Sequence, residues 1–533
     1  MRRILSPLFA VAVLAACSDT LPVEQPGARV PRLSAARESS NRYVVLLGRS
    51  TTADEFTQSA EALGGRVTAV HEGAGFAVVE GLSSSSAKAL AKQRGVKAVE
   101  PDLEAQVIDR SSWELEVGAD ALDVGAASQA NPATAFFFAR QWNLRAIGAH
   151  AAWAAGRLGS PSVKVAILDS GIDPTYPDLA GLVDATRSAS FLPTGSTICL
   201  DPSDDQLING RAATPTCPAL PAFFPGRPAW IDLNGHGTYT GAIVSSKAGT
   251  VAGVTSQVTL MAVKVLDAQG SGPFSAILQG VVFATDRGAD VINMSLGALF
   301  LQHGGFIGFL NNITQYARSR GVTVIVASGN DGVDLDHSVG VYGAFCSSGQ
   351  VICVSATGPT RAVTNAGIPS VNGPNFLPTV DEPAIYSNFG SSSIEVAGPG
   401  GNYTLNAAGN AITSIVRVWS ACSRTSLDFI VPTVPPGSPP GTQPAPPFYR
   451  KSVCSDPAAF GLPATAIFTS GAVGTSAAAP HVSGLAALLV ERYGASPGQI
   501  RTVLQQTADD LGKPGVDPRY GKGRINVPRA LGL

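Results

Sequence analysis

Short apolar runs recurring between helical stretches constrain this chain more than any other feature. Val163 to Leu168, Val258 to Val265, Val291 to Ser295, Val322 to Ala327 and Val351 to Ala356 each have the length of a strand. A strand with one wet face alternates apolar and polar residues. These runs do not alternate, so both of their faces must be buried. Buried strands separated by helical segments are satisfied by a parallel sheet covered with helices on both sides. The expected fold class from about Gln141 onward is therefore α/β.

Composition sets wider bounds. Apolar residues make up 45% of the 533 and charged residues only 14%, which excludes wholesale disorder. The 58 glycines and 38 prolines suit a loop-rich protein. A net charge of −2 offers no electrostatic basis for binding nucleic acid or an anionic membrane.

The N-terminus carries an address. Met1-Arg2-Arg3 precedes an apolar run from Ile4 to Leu14, too short to span a bilayer comfortably. Leu14-Ala15-Ala16-Cys17 is similar to a bacterial lipobox, in which the cysteine is lipidated; the alternative is an ordinary secretory signal with a chance cysteine. Residues 1–16 are read as a lipoprotein-type signal peptide and 17–41 as a tether. Ser18 after the cysteine resembles an outer-membrane sorting signal, so the precursor is expected at the outer membrane or cell surface, with release after processing. The remaining six cysteines fall into local couples: Cys199 with Cys217, Cys346 with Cys353, and Cys422 with Cys454. An even number in an exported chain favours disulfides, and no couple has zinc-site spacing.

Residues 42–107 read β-α-β-β-α-β, a ferredoxin-like α+β module. Residues 108–140 show no clean period and are read as a linker with a processing region. The domain from 141 to 533 is interrupted at about 188–232 and 402–465. The second stretch includes Pro432 to Pro447, with eight prolines in sixteen residues, and both are expected to be surface insertions.

Three segments carry chemistry. The first apolar run ends in Asp169-Ser170-Gly171, outside the carboxyl end of a parallel strand, where catalytic groups of such sheets lie. Alone, Asp169 reads as a turn cap. His236 sits between glycines in Asn234-Gly235-His236-Gly237, which lets the backbone pack closely beside the imidazole. Ser476, in Gly474-Thr475-Ser476-Ala477-Ala478-Ala479-Pro480, opens an apolar helix whose first turn is expected to hold Pro480. Its alternative role is an N-cap.

Together these segments resemble the motifs of the subtilisin family around its Asp, His and Ser, in that family's chain order. The order excludes an α/β-hydrolase, as does the missing second glycine of GxSxG. The resemblance implies a subtilisin-like fold, a serine-type endopeptidase, and Asp169, His236 and Ser476 as its triad. It implies that Asn330, in Ser328-Gly329-Asn330, helps to form the oxyanion hole with the Ser476 N–H. Ser271-Gly272 and Ser295-Leu296-Gly297 resemble the two edges that clamp an extended peptide. Protein or peptide substrates, a monomeric enzyme and an inhibitory propeptide within the same chain are implied as well. Any membrane contact would run through the lipid on Cys17.

No cofactor is implied for the chemistry, and no metal ligand is assigned. Asp178 matches a family calcium ligand, but the Ala242 to Val258 loop lacks the Asn-rich insertion that completes the site. Asp173, Asp201, Asp204 and Asp205 are read as solvated loop acids rather than ligands. Two rivals keep the fold and change the function. One is a non-catalytic peptide-binding surface lipoprotein, disfavoured by the complete set of four polar residues; the other is a transpeptidase sharing the acyl-enzyme.

Overall fold

The computed structural model describes residues 37–48, 50–106, 114–120, 128–192, 226–296, 299–301, 304–338, 341–343, 345–359, 380–405, 411–430 and 448–533. Cys17, Cys199, Cys217, Asp201, Asp204, Asp205, Gly297 and the proline-rich 432–447 stretch lie outside these residues.

The N-terminal module contains β1 (Arg37–Leu47), α1 (Ala53–Glu61), β2 (Arg66–His71), β3 (Phe76–Glu80), α2 (Ser84–Leu90) and β4 (Val96–Gln106). Its antiparallel strands lie in the order β2-β3-β1-β4, the ferredoxin-like arrangement read from the sequence. Thr52 and Ser83 cap the two helices by accepting from the N–H groups of Glu55 and Ser86. Phe56, Ala60 and Leu90 then pack on Val45, Leu47, Ala77 and Val79.

Further along run β5 (Glu114–Asp120), β6 (Lys164–Asp169), β7 (Ala189–Ser190), α3 (His236–Val244), β8 (Thr259–Lys264), β9 (Ser271–Pro273) and α4 (Phe274–Asp286). They are followed by β10 (Val291–Met294), α5 (Gly304–Ser319), β11 (Thr323–Ala327), β12 (Ile352–Thr357), β13 (Val396–Pro399), β14 (Val418–Ala421), β15 (Ala466–Ala472), α6 (Thr475–Tyr493) and α7 (Pro497–Thr507). Seven parallel strands form the main sheet in the order β13-β12-β11-β10-β6-β8-β7. Five of them are the apolar runs. Within β6, Val165 and Ile167 join the core under α6, while Ala166 and Leu168 join the core that includes α4 and α5 residues. Helices on both sides explain why the runs do not alternate.

Three expectations need correcting. Residues 114–120 form a strand, β5, paired antiparallel with β15. The stretch at 402–465 is not simply surface: Val418, Ser420, Ala421, Cys422 and Ser423 are buried. Pro480 lies in the second turn of α6, which begins at Thr475. Lacking an N–H, it leaves the Ser476 carbonyl without its helical donor. Ser295 Oγ donates to that carbonyl instead, at 2.8 Å. Two of the cysteine couples are bonded, Cys346–Cys353 and Cys422–Cys454, with Cα atoms 5.1 and 6.0 Å apart.

One turn past Ser476, His481 is fully buried in α6. Its Nδ1 donates to the Ala477 carbonyl at 2.8 Å, so its Nε2 accepts from Asn143 Nδ2 at 2.7 Å. Both bonds need a neutral ring, and burial pushes its pKa down to about 4 from the ordinary 6.5. The unfolded chain takes up the proton first, so this contribution is complete above about pH 6.5 and lost as pH falls towards 4. The melting temperature should therefore fall through that window more steeply for the wild type than for His481→Gln. Equal slopes would contradict this role.

Candidate active site

β6 delivers Asp169 to the carboxyl edge of the sheet, and α3 begins at His236. Both Asp169 oxygens lie on His236 Nδ1, at 2.8 and 2.9 Å, with the carboxylate wholly buried. A carboxylate on Nδ1 fixes the proton there and leaves Nε2 as the basic nitrogen. Asp169 also accepts from Ser170 N at 2.7 Å and Thr240 Oγ1 at 3.3 Å, which stops the carboxylate from rotating.

A second buried carboxylate, Asp232, builds the entry to α3. It accepts from the N–H groups of Asn234, Gly235 and Thr238 at 3.0, 2.8 and 2.9 Å, and from Thr238 Oγ1 at 2.5 Å. These are donors that a helix start leaves without partners, and the carboxylate also complements the helix dipole. Ser170 Oγ donates to Asp232 at 2.9 Å and accepts from Gly237 N at 3.0 Å, tying the Asp169 turn to the histidine's helix. The two segments touch closely: a Cβ on Gly237 would stand 1.9 Å from the Gly171 carbonyl oxygen. That is the physical need for glycine after His236.

The stretch beyond β14 braces this loop from outside. Ser423 Oγ and Thr425 Oγ1 donate to the Asp232 carbonyl at 3.0 and 2.6 Å, and Ser420 Oγ donates to the Tyr239 carbonyl at 2.8 Å. Asp173, expected as a solvated acid, is buried here. It accepts from Thr175 and from the Arg424 N–H at 2.6 Å, and burial raises its carboxyl above the ordinary range.

Ser476, half-buried, is the second residue of α6, and α6 packs against α3. Asn330 Oδ1 accepts from the Thr475 N–H and hydroxyl, each at 2.9 Å. That bond pair fixes the amide. A Cβ built on Gly474 would meet Ser476 Oγ at 2.9 Å, Asn330 Nδ2 at 3.4 Å and Ser476 N at 3.7 Å. Hydroxyl, side-chain amide and main-chain N–H thus border one small space, which a larger residue at 474 would fill.

Ser295 has a different place from the one expected. It is buried, accepts from Asn293 Nδ2 at 2.9 Å and holds the Ser476 carbonyl, while Ser483 Oγ bonds Asn293 Oδ1 at 2.8 Å. Leu296 is buried beside it. Ser271 and Gly272 do lie on a strand edge, β9, and that edge is taken by the chain itself: Gln106 and Ala105 of β4 pair with them antiparallel. The residues missed in sequence were Ser170, Asp232 and Gly474. Asp232, just before Asn234-Gly235-His236, offered a helix-start signal; Gly474 stood two residues before Ser476, and Ser170 acts across more than sixty residues.

Both Asp178 oxygens are engaged by the backbone. They accept from the N–H groups of Gly249, Thr250 and Val251 at 2.7 to 3.0 Å, and burial raises the Asp178 pKa to about 6. Donors directed at a carboxylate repel a metal ion, so these residues do not fit a calcium site.

Comparison with known proteins agrees with this geometry. The model of the subtilase family matches residues 160–523. Thermitase of Thermoactinomyces vulgaris is 27% identical over 403 residues, covering 75% of this chain and 99% of thermitase. Subtilisin DY of Bacillus licheniformis is 30% identical over 312 residues, covering 58% of this chain and 82% of that protein. Among solved structures, the epidermin leader peptide processing serine protease of Staphylococcus aureus superposes with a TM-score of 0.61 at 19% identity, covering 92% of this chain and 98% of that one. The chain belongs to the subtilase family of serine peptidases.

Proposed function

We propose that this chain is the precursor of an exported serine endopeptidase in which Ser476 is the nucleophile, His236 the general base and Asp169 its orienting partner. The observation that carries this reading is the space beside Gly474, bordered by Ser476 Oγ, Ser476 N and Asn330 Nδ2. Serine is a weak nucleophile at neutral pH and needs a base. His236 Nε2 takes the Ser476 proton as Oγ attacks the peptide carbonyl, and Asp169 stabilises the imidazolium. The carbonyl oxygen, now negative, accepts from Asn330 Nδ2 and Ser476 N. His236 returns the proton to the leaving amine, and water, activated by the same histidine, hydrolyses the acyl-enzyme.

Residues 42–107 act as an inhibitory propeptide. Supporting this, β4 lies on β9 as an added strand, as an extended substrate would. Asp102 of β4 accepts from Ser275 N and Oγ, at 2.9 and 2.6 Å, at the start of α4. Glu100 reaches the start of α5, where its carboxylate stands beside Gly305. Carboxylates at two helix N-termini suit the dipoles, and Asp102 also satisfies two donors, so the module docks by charge as well as by strand pairing. Processing falls within residues 108–140 and is carried out by the chain's own active site. Export and lipidation at Cys17 rest on the N-terminal sequence.

A fluorophosphonate should label Ser476 in the processed protein, which should digest casein; a processed sample with neither property would sink this reading. Ser476→Ala should accumulate uncleaved precursor, whereas normal trimming of that variant would assign processing to another protease. Asn330→Ala should lower kcat about 10²–10³-fold, the size established for such a donor in a subtilisin, with little change in KM. Because the Asp178 carboxylate is held by backbone N–H groups, Asp178→Ala should lower the melting temperature by the same amount in EDTA as in calcium. A loss seen in calcium and absent in EDTA would overturn that assignment.

A further inference from the structure

One charged group near the triad has no place in the mechanism above. Lys264, the last residue of β8, is fully buried, and its β-ladder partner on the neighbouring strand is Asp169. Its ammonium donates to the Ser170 carbonyl oxygen. Burying a lysine is costly unless something compensates, and desolvation does push its pKa down. Three carboxylates oppose that shift: Asp232 ahead of α3, Asp267 just beyond β8, and Asp169 on β6. Asp267 is itself fixed, accepting from Gln269 N at 2.8 Å and Ser271 N at 3.0 Å.

Ser170 is the node through which such a lysine would act. Its N–H holds Asp169, its hydroxyl bonds Asp232 and Gly237 N, and its carbonyl accepts from the Lys264 ammonium. All four of its polar connections run either to the triad's acid, to the helix bearing His236, or to this ammonium.

We infer that Lys264 is a positioning residue of the triad: through the Ser170 carbonyl it fixes the turn that aims Asp169 at His236 Nδ1, and its charge offsets the carboxylates of Asp169, Asp232 and Asp267. This rests on the assignment of Asp169, His236 and Ser476 given above. With the ammonium present, the summed charge of Lys264 and the three carboxylates is less negative than that of the carboxylates alone. Removing the positive charge leaves them unopposed, and the acid limb of the rate profile moves to higher pH. Removing Asp267 does the opposite.

The test is the pH profile of kcat/KM for the processed wild type, Lys264→Met, Lys264→Arg and Asp267→Asn, each normalised to sites titrated by a fluorophosphonate. Lys264→Met should lose on the order of 10²-fold in kcat at neutral pH with KM nearly unchanged. Its acid limb should rise by about one unit. Lys264→Arg, which keeps the charge, should hold the limb of the wild type, and Asp267→Asn should lower it. A Lys264→Met enzyme with an unmoved limb and normal kcat, losing only thermal stability, would overturn the inference. If Lys264→Met does not fold, Asp267→Asn decides, and a limb that stays in place or rises overturns it. Failure of the wild type to titrate would instead defeat the triad assignment itself.

Discussion

The short bonds between Asp169 and His236 are the constraint on which the rest of the site depends. An aspartate at a strand end and a histidine at a helix start have no local reason to meet. Asp232 brings them together, because it caps the helix that begins at His236 and also binds Ser170, the residue after Asp169. The cap and the catalytic pair are therefore one structure. Any change that loosens the helix start loosens the carboxylate–imidazole contact as well. This couples an ordinary element of helix stability, worth about 1 kcal/mol at exposed caps, to the orientation of the base.

The same principle operates on the serine side. Proline at 480 deprives the Ser476 carbonyl of its helical partner, and Ser295, supported by Asn293 and Ser483, replaces it. The Ser476 backbone is thereby tied to the end of β10 as well as to its own helix. Asn330 is held through Thr475, so the side-chain amide and the main-chain N–H proposed to face the reacting carbonyl are positioned by one turn of α6. Preorganisation of this kind lets donors act on developing charge without having to reorient.

How much of this could be read in advance follows from the range of the forces involved. The strands β6, β8, β10, β11 and β12 announced themselves because burial on both faces leaves a continuous apolar run. β7, two residues long, and β13, whose four residues end in Gly398-Pro399, did not. Asp169, His236, Ser476 and Asn330 stood in recognisable local motifs. Ser170 and Lys264 did not stand out, because their partners are distant in the chain, and Asp232 offered only a helix-start signal, one of the ordinary roles of an aspartate. β5 escaped notice because strand pairing with residues 466–472 supplies the order that its own pattern does not. The packing of residues 418–427 against the histidine's loop was hidden in the same way, within a segment whose prolines suggested only surface.

A proton NMR spectrum of the full Ser476→Ala chain tests the central claim most directly. A carboxylate bonded to His236 Nδ1 in a dry site should give a strongly deshielded, exchange-protected proton that disappears in the Asp169→Asn, Ser476→Ala double variant. Its absence from the Ser476→Ala spectrum, or its survival without Asp169, would contradict the account.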